Sequence, residues 1–243
     1  MKILGVRVDN VTISEAVEKI GELVVDSGKH YVVTPNSEFI VDAQKDIKFK
    51  DILNNADLSI PDGMGVVIAS RFYGTGLKQR VAGTDLVDKL CREAARKGWT
   101  VFFLGGLQGV GERSGKVLQK KYPQLKIAGT YEGKREKKYD QETVQGIKNI
   151  LEGRRVDILF VAYGHGYQEK WIERNLERLP VSVAVGVGGA FDFISKYIPR
   201  APVWMQRIGL EWLFRLVQQP WRWRRIFKAV VVFPWLVFKD KLI

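Results

Sequence analysis

Asp62 follows the apolar run Leu58-Ser59-Ile60 and stands before a glycine-flanked helix start, Gly63-Met64-Gly65. A carboxylate at the end of a strand can take a proton from an acceptor hydroxyl. The same carboxylate can also do no more than cap the helix, and position alone leaves both readings open. Thr34 and Asn36, in Thr34-Pro35-Asn36-Ser37, bring uncharged donors and acceptors suited to sugar hydroxyls, and a turn with a helix cap accounts for them equally. The run Gly105-Gly106-Leu107-Gln108-Gly109 joins an apolar strand to a helix, where backbone N–H groups can approach a phosphate. It matches neither a Walker loop nor Gly-x-Gly-x-x-Gly, so a plain tight turn is its other reading. Gln168 and Glu169 open a helix after Tyr163-Gly164-His165-Gly166 and face the same edge, unless they are ordinary first-turn polar residues.

The chain has no Asp-x-Asp pair of the kind that holds a divalent ion against a nucleotide diphosphate. A diphosphate would then need protein cations. The candidates are Arg80 and the arginines of the C-terminal tail, Arg207, Arg215, Arg222, Arg224 and Arg225, whose planar forks match phosphate oxygens. His30 and His165 are the only histidines, and neither has metal-ligand spacing around it, so no metal and no cofactor is expected. Cys91 is the single cysteine and falls at an apolar helical position as core filler. It excludes an intrachain disulfide or a cysteine zinc site and suits a reducing compartment.

These residues must be positioned by the elements between them. Through residue 195, apolar strands alternate with amphipathic helices. The strands are expected at Lys2–Val8, Tyr31–Val33, Leu58–Ile60, Thr100–Leu104, Leu125–Gly129, Asp157–Ala162 and Val181–Val187. Thr12-Ile13-Ser14-Glu15 matches a capping box, and Gly98 stops the helix that starts at Asp85. The pattern predicts an α/β, Rossmann-like fold, a mostly parallel sheet with helices on both faces. Ligands of such a sheet bind beyond the carboxyl ends of its strands.

The tail differs in kind. The 243 residues carry a formal net charge of +12, of which residues 196–243 supply +8 together with five of the seven tryptophans. Met205–Gln218 and Trp221–Val232 read as helices parted at Gln219-Pro220. The longest uncharged apolar run, Ala229–Phe238, is interrupted by Pro234 and is far shorter than the ~20 residues of a spanning helix. The N-terminus lacks signal-peptide architecture. We therefore expect a catalytic core over 1–195 and a helical appendage over 196–243 that lies on an anionic membrane surface without crossing it. That places the protein in the cytoplasm, peripheral on the inner face of the plasma membrane. A solvated basic helix face docked on the core is the plainer reading.

In this order, the motifs resemble the WecG/TagA/CpsF family of bacterial glycosyltransferases, which build surface polysaccharides. The matching stretches are Thr34-Pro35-Asn36, Ile60-Pro61-Asp62-Gly63, Arg80–Asp85, Phe103–Gly106, Gln168–Trp171, Val187–Asp192, Arg200-Ala201-Pro202 and Leu210–Leu216. The resemblance implies an inverting, metal-independent transfer of N-acetylmannosamine. The donor would be a UDP-sugar and the acceptor an undecaprenyl-diphosphate-linked N-acetylglucosamine, as in teichoic-acid linkage-unit synthesis. It implies Asp62 as base, with Thr34, Asn36, Arg80 and Gln168 as supporting polar residues. Arg215, Arg222 and Arg225 would close over the site, with Arg224 competing for the last role. Gly166 stands where the family usually has a proline.

The alternatives are a related transferase using the uronic acid or glucose donor, a nucleotide-binding oxidoreductase resting on the glycine turn with Glu132 as ribose ligand, and a non-enzymatic basic module for membrane or nucleic acid. We expect no nucleic-acid partner, because that module leaves the strand-end residues idle. A homo-oligomer is compatible with the sequence, which fixes no oligomeric state.

Overall fold

A computed structural model of the chain describes residues 1–106 and 108–242 and, at Arg207, the backbone alone, so Leu107, Ile243 and the Arg207 side chain lie outside the described residues. The elements in chain order are β1 (Lys2–Ile3), β2 (Val6–Arg7), α1 (Ile13–Val25), β3 (His30–Val33), α2 (Ser37–Ala43), α3 (Ile47–Asn55), β4 (Leu58–Ser59), α4 (Met64–Phe72) and α5 (Gly83–Lys97). Then follow β5 (Thr100–Gly105), α6 (Val110–Lys121), β6 (Lys126–Tyr131), α7 (Asp140–Leu151), β7 (Val156–Ala162), α8 (Tyr167–Asn175), β8 (Val181–Gly186) and α9 (Ala190–Ile194). The tail adds α10 (Val203–Arg207), α11 (Glu211–Gln218), α12 (Trp223–Phe227), a π-helical turn (Lys228–Val232) and α13 (Phe233–Leu242).

The main sheet has six strands in the order β4-β3-β8-β7-β5-β6, and every neighbouring pair is parallel. This is the expected fold class. Its central strands β5, β7 and β8 are buried on both faces, as in parallel sheets covered by helices, while the edge strand β6 stays partly exposed. Along β5, Val101 and Phe103 join a core with α1, α5, α6 and α9, while Phe102 and Leu104 join another with α7 and α8. The two-residue alternation of a strand thus feeds two separate cores. After β3 the chain moves to the β4 edge, and after β5 to the β6 edge. Loops that diverge in this way open a crevice at the carboxyl ends of the central strands.

Two expectations are corrected. Lys2–Val8 is not a strand of the main sheet: β1 and β2 form a separate antiparallel hairpin, because Leu4 and Gly5 both take positive φ and reverse the chain. The tail helices part at Gln219-Pro220 as expected, but Met205–Gln218 is not one helix. Gly209, at φ +79°, separates α10 from α11. The helical path that begins at Trp223 runs on to Leu242, through Pro234. Pro234 has no N–H to offer the carbonyl one turn back, and the π turn immediately before it widens the helix where that bond is missing.

The tail is seated on the core. Phe233 and Val237 are buried in a third cluster with Ile3, Val33, Phe39, Ile40 and Val66, so α13 covers the β3–β4 end of the sheet through α2 and α4. No helix among the described residues is long and apolar enough to cross a membrane.

Candidate active site

A cavity of about 510 Å³ lies beyond the carboxyl ends of β3, β4 and β8, between the core and the tail. Core residues Asn36, Glu38, Asp62, Arg80 and Gly189 line it, and the tail contributes Glu211, Arg215, Arg222 and Arg225. The site is therefore built across the boundary that the sequence places near residue 195.

Asp62 is aimed by an extension of strand pairing past the ends of β3 and β4. The Ile60 N–H donates to the Val33 carbonyl (2.8 Å) and the Asp62 N–H to the Pro35 carbonyl (3.0 Å). The next residue, Gly63, has φ +121°, a conformation that side chains resist, and this turn lets α4 start without a side-chain cap. Asp62 is thus not an N-cap. Burial pushes its carboxyl up to about 6, the nearby Glu211 charge adds to the rise, and Arg80, the Gly83 N–H and Arg215 pull against it. A carboxylate poised near neutrality is suited to accept a proton.

Arg80 bonds through Nη2 to Glu211 and through Nη1 to the Gln206 carbonyl (3.4 Å). Glu211 also meets Arg200 Nε (3.4 Å), and Arg200 forks onto Asp85. Arg80 therefore anchors α11 to the core beside Asp62.

Arg80, Arg215 and Arg222 each bury an Nε with no hydrogen-bond partner among the described residues. Arg215 and Arg222 differ from Arg80 in having no carboxylate paired with them among the described residues. Burial and neighbouring arginines lower the pKa of both, that of Arg222 to about 10. Such a cluster, desolvated and mutually repelling, is completed by an anion with several acceptor oxygens. Arg225 lines the same cavity and forks onto Glu38, whereas Arg224 is exposed over the Trp223 ring.

The remaining predicted residues divide. Asn36 caps α2, its Oδ1 accepting from the Glu38 and Phe39 N–H groups, and it also lines the cavity. Thr34 and Gln168 are buried and do not line the cavity. Thr34 Oγ1 donates to the Gly186 carbonyl (3.0 Å), fastening the end of β3 to that of β8. Gln168 Oε1 accepts from the Gly188 N–H (2.9 Å) and its Nε2 donates to Glu169 (2.7 Å), which braces the loop carrying Gly189. Gly166, at φ +75°, lets Glu169 reach back to its N–H (2.9 Å).

Gly105, Gly106, Gln108 and Gly109 do not line this cavity. They all take positive φ in a tight turn against Phe191 of α9, and α9 presents Ala190 and Phe193 to the cavity. Glu132 accepts the Gly109 N–H (2.6 Å), and Gln108 accepts from the Tyr197 hydroxyl (3.0 Å). Glu132 thus closes the turn itself.

Sequence reasoning missed Glu38 and Glu211. Glu211 lay in a recognised motif without a role, and Glu38 pairs with a residue 187 positions away, which leaves no local signal. Glu38, Asp42 and His165 also bring ligand atoms within 4.8 Å of one another, but Arg225 and Lys228 already occupy the two carboxylates.

The model of the glycosyl transferase WecG/TagA/CpsF family matches residues 1–243. The chain belongs to that family. It is a glycosyltransferase. Over 206 residues it is 36% identical to a protein of Bacillus subtilis (strain 168), covering 82% of this chain and 78% of the relative. It is 31% identical over 243 residues to one of Staphylococcus aureus (strain MRSA252), covering 98% and 92%. A relative from Bacillus spizizenii is 36% identical over 196 residues, covering 81% and 74%. All three relatives are named N-acetylglucosaminyldiphosphoundecaprenol N-acetyl-beta-D-mannosaminyltransferase.

Proposed function

We propose that this cavity transfers N-acetylmannosamine from a UDP donor to a lipid-diphosphate-linked N-acetylglucosamine, with inversion and without a metal. The observation that carries the reading is one cavity holding a carboxylate whose affinity for a proton burial raises, Asp62, and a set of arginines of which three, Arg80, Arg215 and Arg222, have buried Nε atoms without a partner among the described residues. The relatives' names supply the sugar and the acceptor.

The acceptor hydroxyl attacks the anomeric carbon, and its proton passes to Asp62. The new C–O bond forms as the bond from that carbon to the β-phosphate oxygen breaks. The electron pair leaves on UDP, whose growing charge the arginines stabilise. Gly105, Gly106, Gln108 and Gly109 lie across α9 and are assigned to the nucleotide end of the donor.

The cavity has an apolar side made by Met64, Ile68, Ile226, Ala229, Val230 and Pro234, which suits a ligand that joins a diphosphate to hydrocarbon. Beyond it, Trp204, Trp221, Trp223, Trp235 and Phe238 are exposed on the basic tail. Tryptophan beside Lys and Arg favours the interface of an anionic bilayer. We assign the protein to the inner face of the plasma membrane, where nucleotide sugar and lipid acceptor meet.

A transfer assay with a panel of UDP-sugars and a soluble lipid-diphosphate acceptor analogue tests the reading. Turnover with UDP-N-acetylmannosamine above the uronic-acid and glucose donors supports it. Preference for either of those moves the chain to the alternative transferase, and no turnover with any donor overturns the proposal.

A further inference from the structure

The tail arginines serve the cavity only when the tail is seated, and their mutual repulsion opposes seating. The opposing charge comes from α2. Glu38 is buried and accepts three bonds from Arg225: Nε to Oε1 at 2.8 Å, Nε to Oε2 at 3.0 Å and Nη2 to Oε2 at 2.8 Å. Arg225 Nη1 has no hydrogen bond to the chain among the described residues. One turn along the same helix, Asp42 accepts from Lys228 Nζ (2.6 Å) through one oxygen and faces His165 Nε2 (2.9 Å) with the other. His165 is itself wedged against Phe39 and Phe49, with ring centroids 4.3 Å and 5.6 Å away. Residues four apart on α2 thus meet residues three apart on the tail, a spacing that puts each pair on one helix face.

This arrangement is more than a surface ion pair. A surface pair contributes little to stability, whereas a bidentate guanidinium–carboxylate fork with a buried carboxylate fixes direction as well as distance. Removing the Glu38 charge would leave Arg225 facing Arg215 and Arg222 with nothing to hold its plane.

Resting on the reading above, we propose that Glu38 is a positioning residue for the transfer. It holds Arg225 at the leaving-group side of the cavity, and the Asp42–Lys228 pair supports it by docking the tail on α2. Glu38 acts through Arg225 and touches no reacting atom.

The test is a double-mutant cycle in the full chain with Glu38→Gln, Arg225→Gln and the pair together. Turnover is read on a soluble acceptor, and hydrogen exchange is followed across residues 223–232. Misplacing one catalytic group costs on the order of 10²-fold, so Glu38→Gln is expected to lower kcat by about that factor. The double variant is expected to be no slower than Arg225→Gln alone, since both changes remove one function. Exchange across 223–232 is expected to quicken in Glu38→Gln and Asp42→Asn, while β5 and β7 stay as in the wild type. Asp42→Asn, whose side chain lies outside the cavity lining, carries the test if Glu38→Gln does not fold. A Glu38→Gln enzyme as fast as or faster than the wild type overturns the proposal, as does an additive cycle or unchanged exchange. If the wild type itself transfers no sugar, the functional reading fails, and exchange alone still decides whether Glu38 and Asp42 seat the tail.

Discussion

Replacing Asp62 with Asn should make the protein more stable and nearly inactive. Burial raises the Asp62 carboxyl from an ordinary 3.8 to about 6, even with Arg80, Arg215 and the Gly83 N–H pulling the other way. The folded chain therefore holds an ionised Asp62 at a cost above pH 6. A separation of about two pH units corresponds to about 3 kcal/mol at full ionisation. The sign follows from proton counting. Between pH 3.8 and 6 the folded state keeps a proton that the unfolded state has lost, so this group's contribution is fully present below pH 3.8 and is lost as pH rises through 6. Asparagine removes that loss. At pH 7.5 the variant should gain up to about 3 kcal/mol, at roughly 2–4 °C in Tm for each kcal/mol in a chain of this size. The gain should shrink toward pH 4. Transfer should fall by about 10²–10⁴-fold while UDP binding persists, and wild-type kcat/KM should drop below about pH 6 as the base is protonated. Thermal unfolding of both proteins from pH 4 to 8, with turnover on a soluble acceptor, checks all three. A variant within a few-fold of wild-type activity, or one less stable at pH 7.5, refutes the reasoning.

Turnover should be unchanged in excess EDTA, because arginines stabilise the leaving group; loss on chelation with recovery on magnesium or manganese would place that charge elsewhere. Phe233→Ala should destabilise the chain by about 3–5 kcal/mol in denaturant unfolding, since the ring is buried with Val33, Phe39 and Ile40. Trp221→Glu with Trp223→Glu should weaken binding to anionic vesicles and leave turnover on a soluble acceptor within about twofold, because both rings are exposed.

The strand–helix alternation was legible because a parallel sheet covered on both faces needs continuous apolar strands. Val101–Leu104 and Ile158–Val161 announce themselves in that way. Asp62 and Asn36 stood out for the same reason, since a strand end fixes where the next polar residue must lie, whereas Arg80, in the loop between α4 and α5, stood out only as a cation within a recognised motif. Lys2–Val8 misled because its apolar residues pack in a hairpin that reverses at Leu4-Gly5, and a two-residue turn leaves the apolar count unchanged. The tail's charge and tryptophans were legible, but not its seating. Phe233 and Val237 sit in a stretch that looks like the rest of the apolar run, and only the packing on α2 and α4 separates them from exposed Trp235 and Phe238. Thr34 and Gln168 have side chains suited to binding sugar, yet their bonds tie the loops that hold the site. Residue type does not distinguish the two uses.

The central claim is that Asp62 of the core and the arginines of the tail form one active site. It is tested most directly by Arg215→Gln with Arg222→Gln in the full chain, assayed on a short, water-soluble acceptor in the absence of membrane. Both side chains line the cavity with buried Nε atoms that lack a partner among the described residues, and their removal relieves mutual repulsion, so the variant should fold at least as stably as the wild type. Turnover is expected to fall by roughly 10³-fold or more, as when preorganised charge is removed from a leaving group. A well-folded variant that turns over the soluble acceptor at the wild-type rate would contradict the claim, leaving the tail as an anchor and Arg80 to carry the leaving group.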